Sequence, residues 1–308
     1  MSSDSRPGTT TRYLMPVERS FICVTRRAAS SGRPRLCPGA APYVSRHGFG
    51  YSVFEHADGG IQSELWVYVA QDAAVKFSVL KVRNSSGRPR RLSATGYVEW
   101  VLGDLRPKSA MHVASEVDPY SGAIFTRNRY NTEFPDRVAF FDVDDTSRTF
   151  TCDRAEFIGR NGSLEHPAAM MRTHLSGRVG SGLDPCAAIQ VGFDLADGQQ
   201  REITFRLGVG GMPGGDDAHQ LVHRLRGADA ARWALEAVWH YWNHTLGAVQ
   251  VETPDQSLNV LAHGWLLYQT LACRLWARSG YYQSGGPFGF RDQLQDAMAL
   301  VHCEPRLL

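Results

Sequence analysis

Residues 75–102 read VKFSVLKVRNSSGRPRRLSATGYVEWVL, two strand-like runs on either side of a polar turn cluster. In the first run Val75, Phe77 and Val79 alternate with polar neighbours, which is the period-two pattern of a half-buried strand. The cluster SSGRPR at 85–90 combines the residue types that favour turns, and the chain then returns as a second strand. This stretch predicts antiparallel β-structure.

Similar runs on both sides extend the pattern. They are ELWVYVA at 64–70, VAFFDV at 138–143 and REITFRLGV at 201–209. Strands at this spacing, with no helical periodicity between them, indicate an antiparallel sandwich rather than a parallel α/β sheet. We therefore expect a β-sandwich domain over residues 41–215.

A glycine cluster, GVGGMPGGDD at 208–217, follows the last of these runs and precedes a helix. Its spacing is not that of a dinucleotide-binding GxGxxG loop, and no second strand follows to complete a βαβ unit. We interpret it as a linker and expect no cofactor there. Amphipathic runs at 217–226 and 229–246 then predict a helical linker over residues 216–252.

The sequence TPDQ at 253–256 predicts the start of another helix. Thr253 is a suitable N-cap, Pro254 fits the first helical position, and Gln256 would complete a capping box. The helix is expected to run to about Arg278. Apolar residues cover most of its circumference, so we expect it to be buried among other helices.

Composition excludes several classes of protein. The 308 residues carry a net charge of only +2, which does not indicate a nucleic-acid partner. No apolar run reaches the roughly 20 residues that span a bilayer. The six cysteines are scattered without a CxxC pair, so neither a zinc site nor a disulfide framework is indicated. We expect a reducing, cytoplasmic location and no membrane segment in the chain.

The first forty residues hold seven arginines against Asp4 and Glu18. A basic nucleic-acid arm, an organellar transit peptide and a disordered leader all fit this composition. The arm lacks the regular interleaving of aromatic residues with cations that stacks bases, and we favour a disordered leader over residues 1–40.

Two histidine pairs, His219/His223 and His240/His244, have the i, i+4 spacing that places both rings on one helix face. Neither pair includes the glutamate of an HExxH motif, and no third ligand is suggested by spacing. We expect surface or packing roles and no metal.

The C-terminal run TPDQSLNVLAHGWLLYQTLACRLWARSGYYQSGGPFGFRDQLQDAMAL, residues 253–300, closely resembles glycoside hydrolase family 94, formerly glycosyltransferase family 36. The β region agrees, and looks most similar to the branch of cyclic β-1,2-glucan synthase and β-1,2-oligoglucan phosphorylase. Its matching motifs are RHGFGYSVFEH (46–56), SGRPRRLSATGYVEWVLG (86–103), RNRYNTEF (127–134), GRNGSLEHPAA (159–169) and SGRVGSGLDPCAA (176–188).

The resemblance implies a super-β-sandwich of the galactose-mutarotase-like type, a helical linker and an (α/α)6 catalytic barrel. It places the start of that barrel at residues 253–308. The family cleaves a β-glucosidic bond with inorganic phosphate as co-substrate and inverts the anomeric centre. A carboxylic acid protonates the leaving oxygen while phosphate attacks from the opposite face, which parallels inverting hydrolysis.

Arg291 and Asp296 match the family's sugar-binding motif and are expected to hold hydroxyls of the glucosyl unit. A guanidinium and a carboxylate can each engage two hydroxyls in one plane. The two lie about 140° apart on a helix, so Arg291 must sit where the loop meets the helix. Asp292 and Gln295 are weaker candidates, and helix capping or a solvated helix face is the alternative role for all four. The loop glycines Gly285, Gly286 and Gly289 would let the backbone approach the ligand.

The resemblance places the general acid on a later barrel loop, so we expect no catalytic residue among these 308. The chain is then a fragment of a larger enzyme, inactive until the missing barrel completes it, with a β-glucan oligosaccharide as ligand. Full-length relatives attached to the inner membrane are compatible with this interpretation.

Two other interpretations stay open: a degraded gene product without function, and a non-catalytic glucan-binding sandwich. In the latter, sugars would stack on aromatic residues, although packing in the core or in hairpins is the simpler role for most of the candidates, which are Tyr97, Trp100, Tyr130, Tyr281 and Tyr282. Without a surrounding barrel, the helix at 254–278 would expose Trp265, Leu271 and Trp276, and we expect the chain to self-associate through it.

Overall fold

A computed structural model describes residues 11–17, 20–26, 43–103, 105–164, 167–211, 216–275 and 290–307. The chain forms two compact units. The first comprises residues 1–47 and 51–234, and the second comprises residues 48–50 and 235–308. The boundaries fall close to the start of one strand and within one long helix.

Thirteen described strands build the first unit. They are β1 Thr11–Val17, β2 Ser20–Arg26, β3 Tyr43–Gly48, β4 Tyr51–Asp58, β5 Ile61–Val69, β6 Val75–Asn84, β7 Arg90–Glu99, β8 Val113–Val117, β9 Ile124–Asn128, β10 Val138–Val143, β11 Arg148–Asp153, β12 Pro185–Leu195 and β13 Gln200–Gly210. One sheet has the order β1-β2-β7-β12-β11 and the other the order β3-β4-β5-β6-β13-β10-β9-β8. The predicted antiparallel sandwich is confirmed.

The chain crosses from one sheet to the other at the turn cluster 85–90, between β6 and β7. β6 pairs with β5 and β13 in the eight-stranded sheet, whereas β7 pairs with β2 and β12 in the five-stranded sheet. The two runs are both strands, as predicted, but they are not hydrogen-bonded neighbours. The side chain of Asn84 helps to fix the crossing, because it donates to the carbonyls of Arg88 and Leu195.

The main core lies between the two sheets. Leu65, Leu80 and Phe205 of the eight-stranded sheet and Leu92 and Ile189 of the five-stranded sheet are all almost completely buried in it. Burying each such side chain contributes about 1.5–3 kcal/mol. The alternation of apolar residues along the strands therefore supplies both the secondary structure and the interface between the layers.

Gly96 sets the closest approach of the layers. A Cβ atom at this position of β7 would lie 2.7 Å from the rings of both Phe141 and Phe205, which belong to the opposite sheet. Those two rings are themselves stacked, with centroids 5.9 Å apart. The absence of a side chain at Gly96 makes room for the aromatic pair.

The five-stranded sheet is buried on its second face as well. The short helix α2, preceded along the chain by α1 (Arg106–Ser109), spans Arg154–Ile158 and begins at the N-cap Asp153. Its Phe157 stacks on Tyr97 of β7, with ring centroids 4.7 Å apart. Met170, from a turn at 168–171, completes this smaller cluster.

The first linker helices cover part of the outer face of the eight-stranded sheet. α3 spans Ala218–Arg224 and begins at Asp217 with a capping box, and α4 spans Ala228–Leu246. Tyr68 of β5 donates its hydroxyl hydrogen bond to the Ala231 carbonyl at 2.6 Å, and burial raises the pKa of this phenol. Both helices lie where the periodicity predicts them.

The expectation of a disordered leader over residues 1–40 is wrong for residues 11–17 and 20–26. β2 pairs with β7 along seven residues, and β1 pairs with β2. The sequence of β2, SFICVTR, explains why it forms a strand, because β-branched and aromatic residues favour strands. The high arginine content obscured this short signal.

The second unit is helical in its described part. After α4 come α5 Gln256–Val260, α6 Leu266–Thr270 and α7 Phe290–Ala297. Wide i→i+5 turns at Leu261–Trp265 and Leu271–Leu275 follow α5 and α6. Gly264 adopts a φ of 158° within the first of them, so the predicted uninterrupted helix is kinked there.

Asp255, not Thr253, is the N-cap of this helix. The Asp255 carboxylate accepts the Ser257 N–H, so the predicted capping box with Gln256 does not form. Thr253 instead donates its hydroxyl to the Asn259 side chain at 2.8 Å. Asp255 and Thr253 are both residue types that cap helices well. Because the buried side chain of Asn259 binds the Thr253 hydroxyl, Asp255 is left to cap the helix.

Candidate substrate-binding site

α7 carries all four residues predicted to bind a glucosyl unit. It begins at Phe290, so Arg291 is its second residue and its side chain is exposed. Gln295 is also exposed, and Asp296 is half-buried. The side chain of Asp292 and the loop glycines Gly285, Gly286 and Gly289 lie outside the described residues, as do Tyr281 and Tyr282.

Helical geometry groups these residues in pairs. Arg291 and Gln295 are four residues apart and share one stripe of α7, and Asp292 and Asp296 share the neighbouring stripe. Arg291 and Gln295 therefore place a cation and an amide beside the stripe that carries the Asp296 carboxylate. This arrangement can hydrogen-bond several hydroxyls of one sugar ring, with the guanidinium donating and the carboxylate accepting.

The segment after α7 fixes the helix within the second unit. Leu300 is completely buried in a cluster with Trp242, Leu267 and Leu271. The Thr245 hydroxyl donates to the Glu304 carboxylate at 3.2 Å, which ties the C-terminal turn to α4. The candidate residues are thus carried by a helix whose C-terminal end is anchored in a core.

A second candidate lies in the first unit, on the outer face of the eight-stranded sheet. A cavity of about 590 Å³ is lined there by polar residues of neighbouring strands. Two carboxylates, two cations and two amides contribute to it, namely Glu55, Glu64, Lys81, Arg83, Gln62 and Gln200. Its charges balance, which suits a neutral polyhydroxyl ligand better than an anion.

Internal contacts order the side chains of this cavity. Lys81 lies 3.7 Å from the Glu64 carboxylate and 5.6 Å from the centre of the Trp66 ring. Trp66 Nε1–H donates to Glu64 at 2.5 Å. These residues were not among the predicted site residues. Glu64 and Lys81 occupy polar positions of predicted strands, and this alternation is the signal that could have found them.

The candidate stacking aromatics divide by burial. Tyr97 and Trp100 are almost completely buried, so they are core residues and the predicted stacking role is wrong for them. Tyr130 is 73% exposed and its ring packs against His112. Of the described candidates it is the one with a ring available to a ligand.

The two histidine pairs lie on α3 and α4. His219 lies 3.6 Å from the Asp118 carboxylate and packs edge-on against Phe125. His240 and His244 are exposed on α4. Within the described part of the chain, no group of three His, Cys, Asp or Glu side chains is placed to bind a metal ion. None of the described helices is long and apolar enough to cross a membrane.

Two protein-family models match the chain. Residues 27–228 match the model of the glycosyl hydrolase 94 supersandwich domain, and residues 241–308 match that of the glycosyl hydrolase 94 superfamily catalytic domain. A solved structure of a putative kojibiose phosphorylase from the human microbiome aligns with 72% of this chain and 27% of its own, at 5% identity and a TM-score of 0.42.

Two curated relatives are similar over most of the chain. The cyclic β-(1,2)-glucan synthase NdvB of Rhizobium meliloti (strain 1021) is 38% identical over 269 residues, which cover 87% of this chain and 9% of that protein. The N,N'-diacetylchitobiose phosphorylase of Vibrio furnissii is 27% identical over 282 residues, covering 87% and 34%. The chain, which spans about a third or less of the length of these relatives, belongs to glycosyl hydrolase family 94 and contains its supersandwich domain and the start of its catalytic domain.

Proposed function

We propose that this chain is a glucan-binding portion of an inverting β-glucan phosphorylase or cyclic β-1,2-glucan synthase. The observation that carries the proposal is the continuous pairing of a family 94 supersandwich with a catalytic-domain segment in which α7 presents Arg291 and Asp296. The similarity to a cyclic β-(1,2)-glucan synthase favours a β-1,2-linked glucan as the ligand.

Binding and orientation are the tasks of this chain in the proposed reaction. Arg291 and Asp296 hold hydroxyls of the glucosyl unit that becomes the phosphate ester, with Asp292 and Gln295 beside them and Gly285, Gly286 and Gly289 in the preceding loop. Their contribution is positional, since fixing the ring aligns the anomeric carbon with the attacking phosphate. Inorganic phosphate is a co-substrate, and no organic cofactor is required.

The general acid belongs, in this proposal, to the remainder of the catalytic domain. The leaving oxygen must receive a proton as its bond to the anomeric carbon breaks. The chain alone is therefore inactive, and the rest of the barrel is its necessary partner. We keep a cytoplasmic location as part of the same proposal.

The test compares the chain with a completed enzyme. The 308-residue chain, and the same chain joined to the corresponding downstream part of the 38%-identical relative, are incubated with β-1,2-gluco-oligosaccharides and phosphate. We expect glucose 1-phosphate from the joined protein only. Its release by the chain alone would contradict the placement of the acid. A folded joined protein that binds glucan without phosphorolysis would contradict the proposed reaction.

A glucan-binding module without catalysis is the second candidate, and the 590 Å³ cavity on the eight-stranded sheet favours it. The two candidates differ in one measurement. In the module, removing the Arg291 side chain from the joined protein leaves its affinity for glucan unchanged, whereas in the phosphorylase the same change weakens binding.

A further inference from the structure

Tyr130 presents a large aromatic surface to solvent. It is 73% exposed, and its ring stacks on that of His112 with centroids 4.3 Å apart and an interplanar angle of 14°. One face of the ring is therefore covered by the histidine, while most of the side chain stays open. Stacking fixes the plane of the ring, so it is oriented before any ligand arrives.

The loop that carries Tyr130 is locked by the asparagines on either side. The Asn128 side chain accepts the Tyr130 N–H at 3.0 Å and donates to the Leu102 carbonyl at 2.8 Å. Asn131 accepts the backbone N–H of Glu133 at 3.0 Å and donates to the same Leu102 carbonyl at 3.4 Å. A ligand bound here would not have to order the loop, which removes one cost of binding.

Leu102, the acceptor of both amides, has the strained backbone of this region. Its φ is 42°, and it is the one non-glycine residue in the described part of the chain with a positive φ. A leucine in the left-handed region is unfavourable and persists only where its surroundings hold it. The strain accompanies the bonds that fix the exposed ring, and such strained positions cluster at ligand sites.

The loop around the ring combines charged residues of opposite sign with one exposed apolar side chain, Phe134. Arg129 and Glu133 are both exposed in the same loop, with opposite signs. A flat aromatic ring flanked by hydrogen-bonding groups fits a sugar ring, because the axial C–H bonds of a pyranose give it an apolar face and its rim carries hydroxyls. An apolar peptide would require a larger continuous apolar patch.

We propose that the Tyr130–His112 pair is a stacking subsite for one glucosyl ring of a neutral gluco-oligosaccharide on the supersandwich domain. The sugar class rests on the proposed function. The subsite itself rests on the exposed ring, the histidine behind it and the locked loop. It lies in the first unit and is separate in sequence from the α7 residues.

The experiment measures binding of β-1,2-gluco-oligosaccharides to the folded 308-residue chain by calorimetry and by saturation-transfer NMR. Tyr130→Ala removes the ring and should weaken binding about tenfold, whereas Tyr130→Trp preserves a stacking face and should bind at least as well as the natural chain. Maltotriose serves as the comparison ligand of different linkage.

Tyr120 offers a matched control. It is 95% exposed in another turn of the same unit, so Tyr120→Ala removes an equal ring without changing the Tyr130–His112 pair. We expect its affinity to equal that of the natural chain. Equal affinities for Tyr130→Ala and Tyr120→Ala would overturn the subsite while leaving glucan binding intact. Absence of binding at 10 mM ligand (about the weakest affinity worth measuring) would also overturn it, whereas phosphorolysis by the joined protein tests the proposed function independently.

Discussion

Asp142 and Arg206 form a completely buried ion pair, with their side chains 2.7 Å apart and neither accessible to solvent. Arg226 and Arg148 reach the same carboxylate, at 2.7 and 3.1 Å. Arg206 also donates to the Leu225 carbonyl, which follows α3. One aspartate therefore joins β10, β13 and the linker region within the first unit.

Asp142→Asn should destabilise the first unit by about 3–5 kcal/mol, because Arg148 and Arg226 would lose their counter-charge and Arg206 would keep only Asp144. Urea unfolding followed by circular dichroism measures the change. The exposed pair Arg91–Asp194 supplies the control, since Asp194→Asn should change stability by less than about 1 kcal/mol. Similar effects of the two variants would contradict the role given to Asp142.

Gly96→Ala should cost about 1–3 kcal/mol by overpacking the interface between the sheets. The added methyl group would meet the rings of Phe141 and Phe205 at 2.7 Å. Thermal unfolding measures the loss. Combining Gly96→Ala with Phe141→Leu should recover part of it, because the smaller side chain makes room. Additive losses in the double variant would show that the glycine is required for another reason.

Glu156 predicts an acid-sensitive contribution to stability. Burial raises the pKa of this carboxyl, but hydrogen bonds from Ser176 and Thr151, together with Arg172, outweigh burial and hold the pKa below its usual range. Because the folded-state pKa is lowered, the contribution is present above the unfolded-state value of about 4.3 and is lost as the pH falls through the folded-state pKa. Unfolding free energies of the natural chain and Glu156→Gln should therefore converge below about pH 4. A constant difference from pH 7 to pH 3 would contradict this.

Apolar side chains on the second unit predict self-association of the chain. Trp265 is 49% exposed and Val260 is 70% exposed, whereas Leu271, which the sequence analysis expected to be exposed, is completely buried and Trp276 lies outside the described residues. We expect Trp265→Gln with Val260→Asn to shift the chain toward monomer in size-exclusion chromatography at micromolar concentration. Trp233→Gln, at a 67%-exposed position of the first unit, should leave the elution unchanged. A monomeric natural chain would refute the prediction.

Alternation along β5, β6 and β13 made the sandwich predictable, because one face of each of these strands packs against the core. The hydrophobic pattern of the sequence could not predict that β6 and β7 belong to different sheets. Each strand pairs with strands that are distant in sequence, and a local pattern does not encode that pairing. The strand β2 was missed because its seven residues lie among arginines. Its backbone pairing with β7 is a long-range contact that local composition does not encode.

Helix caps and loop sites also divide into those that local sequence predicts and those that depend on tertiary contacts. The helix over 217–226 was predicted because its amphipathic periodicity is local in sequence, and the structure begins α3 there with the N-cap Asp217. The choice of Asp255 over Thr253 depended on the buried side chain of Asn259, which is a tertiary effect. For the candidate site, the α7 residues came from resemblance to a family, whereas the exposure of Tyr130 and the strain at Leu102 could be seen only in three dimensions.

The central claim is that α7 holds the glucosyl unit, and the most direct test is phosphorolysis of β-1,2-gluco-oligosaccharides by the joined protein carrying single substitutions. Arg291→Ala and Asp296→Asn should each lower kcat/KM by about 100-fold or more, since each removes charge-assisted hydrogen bonds that position the sugar. Arg306→Ala removes an exposed guanidinium near the same end of the chain and should have no effect. Rates for Arg291→Ala and Asp296→Asn equal to that of Arg306→Ala would contradict the account.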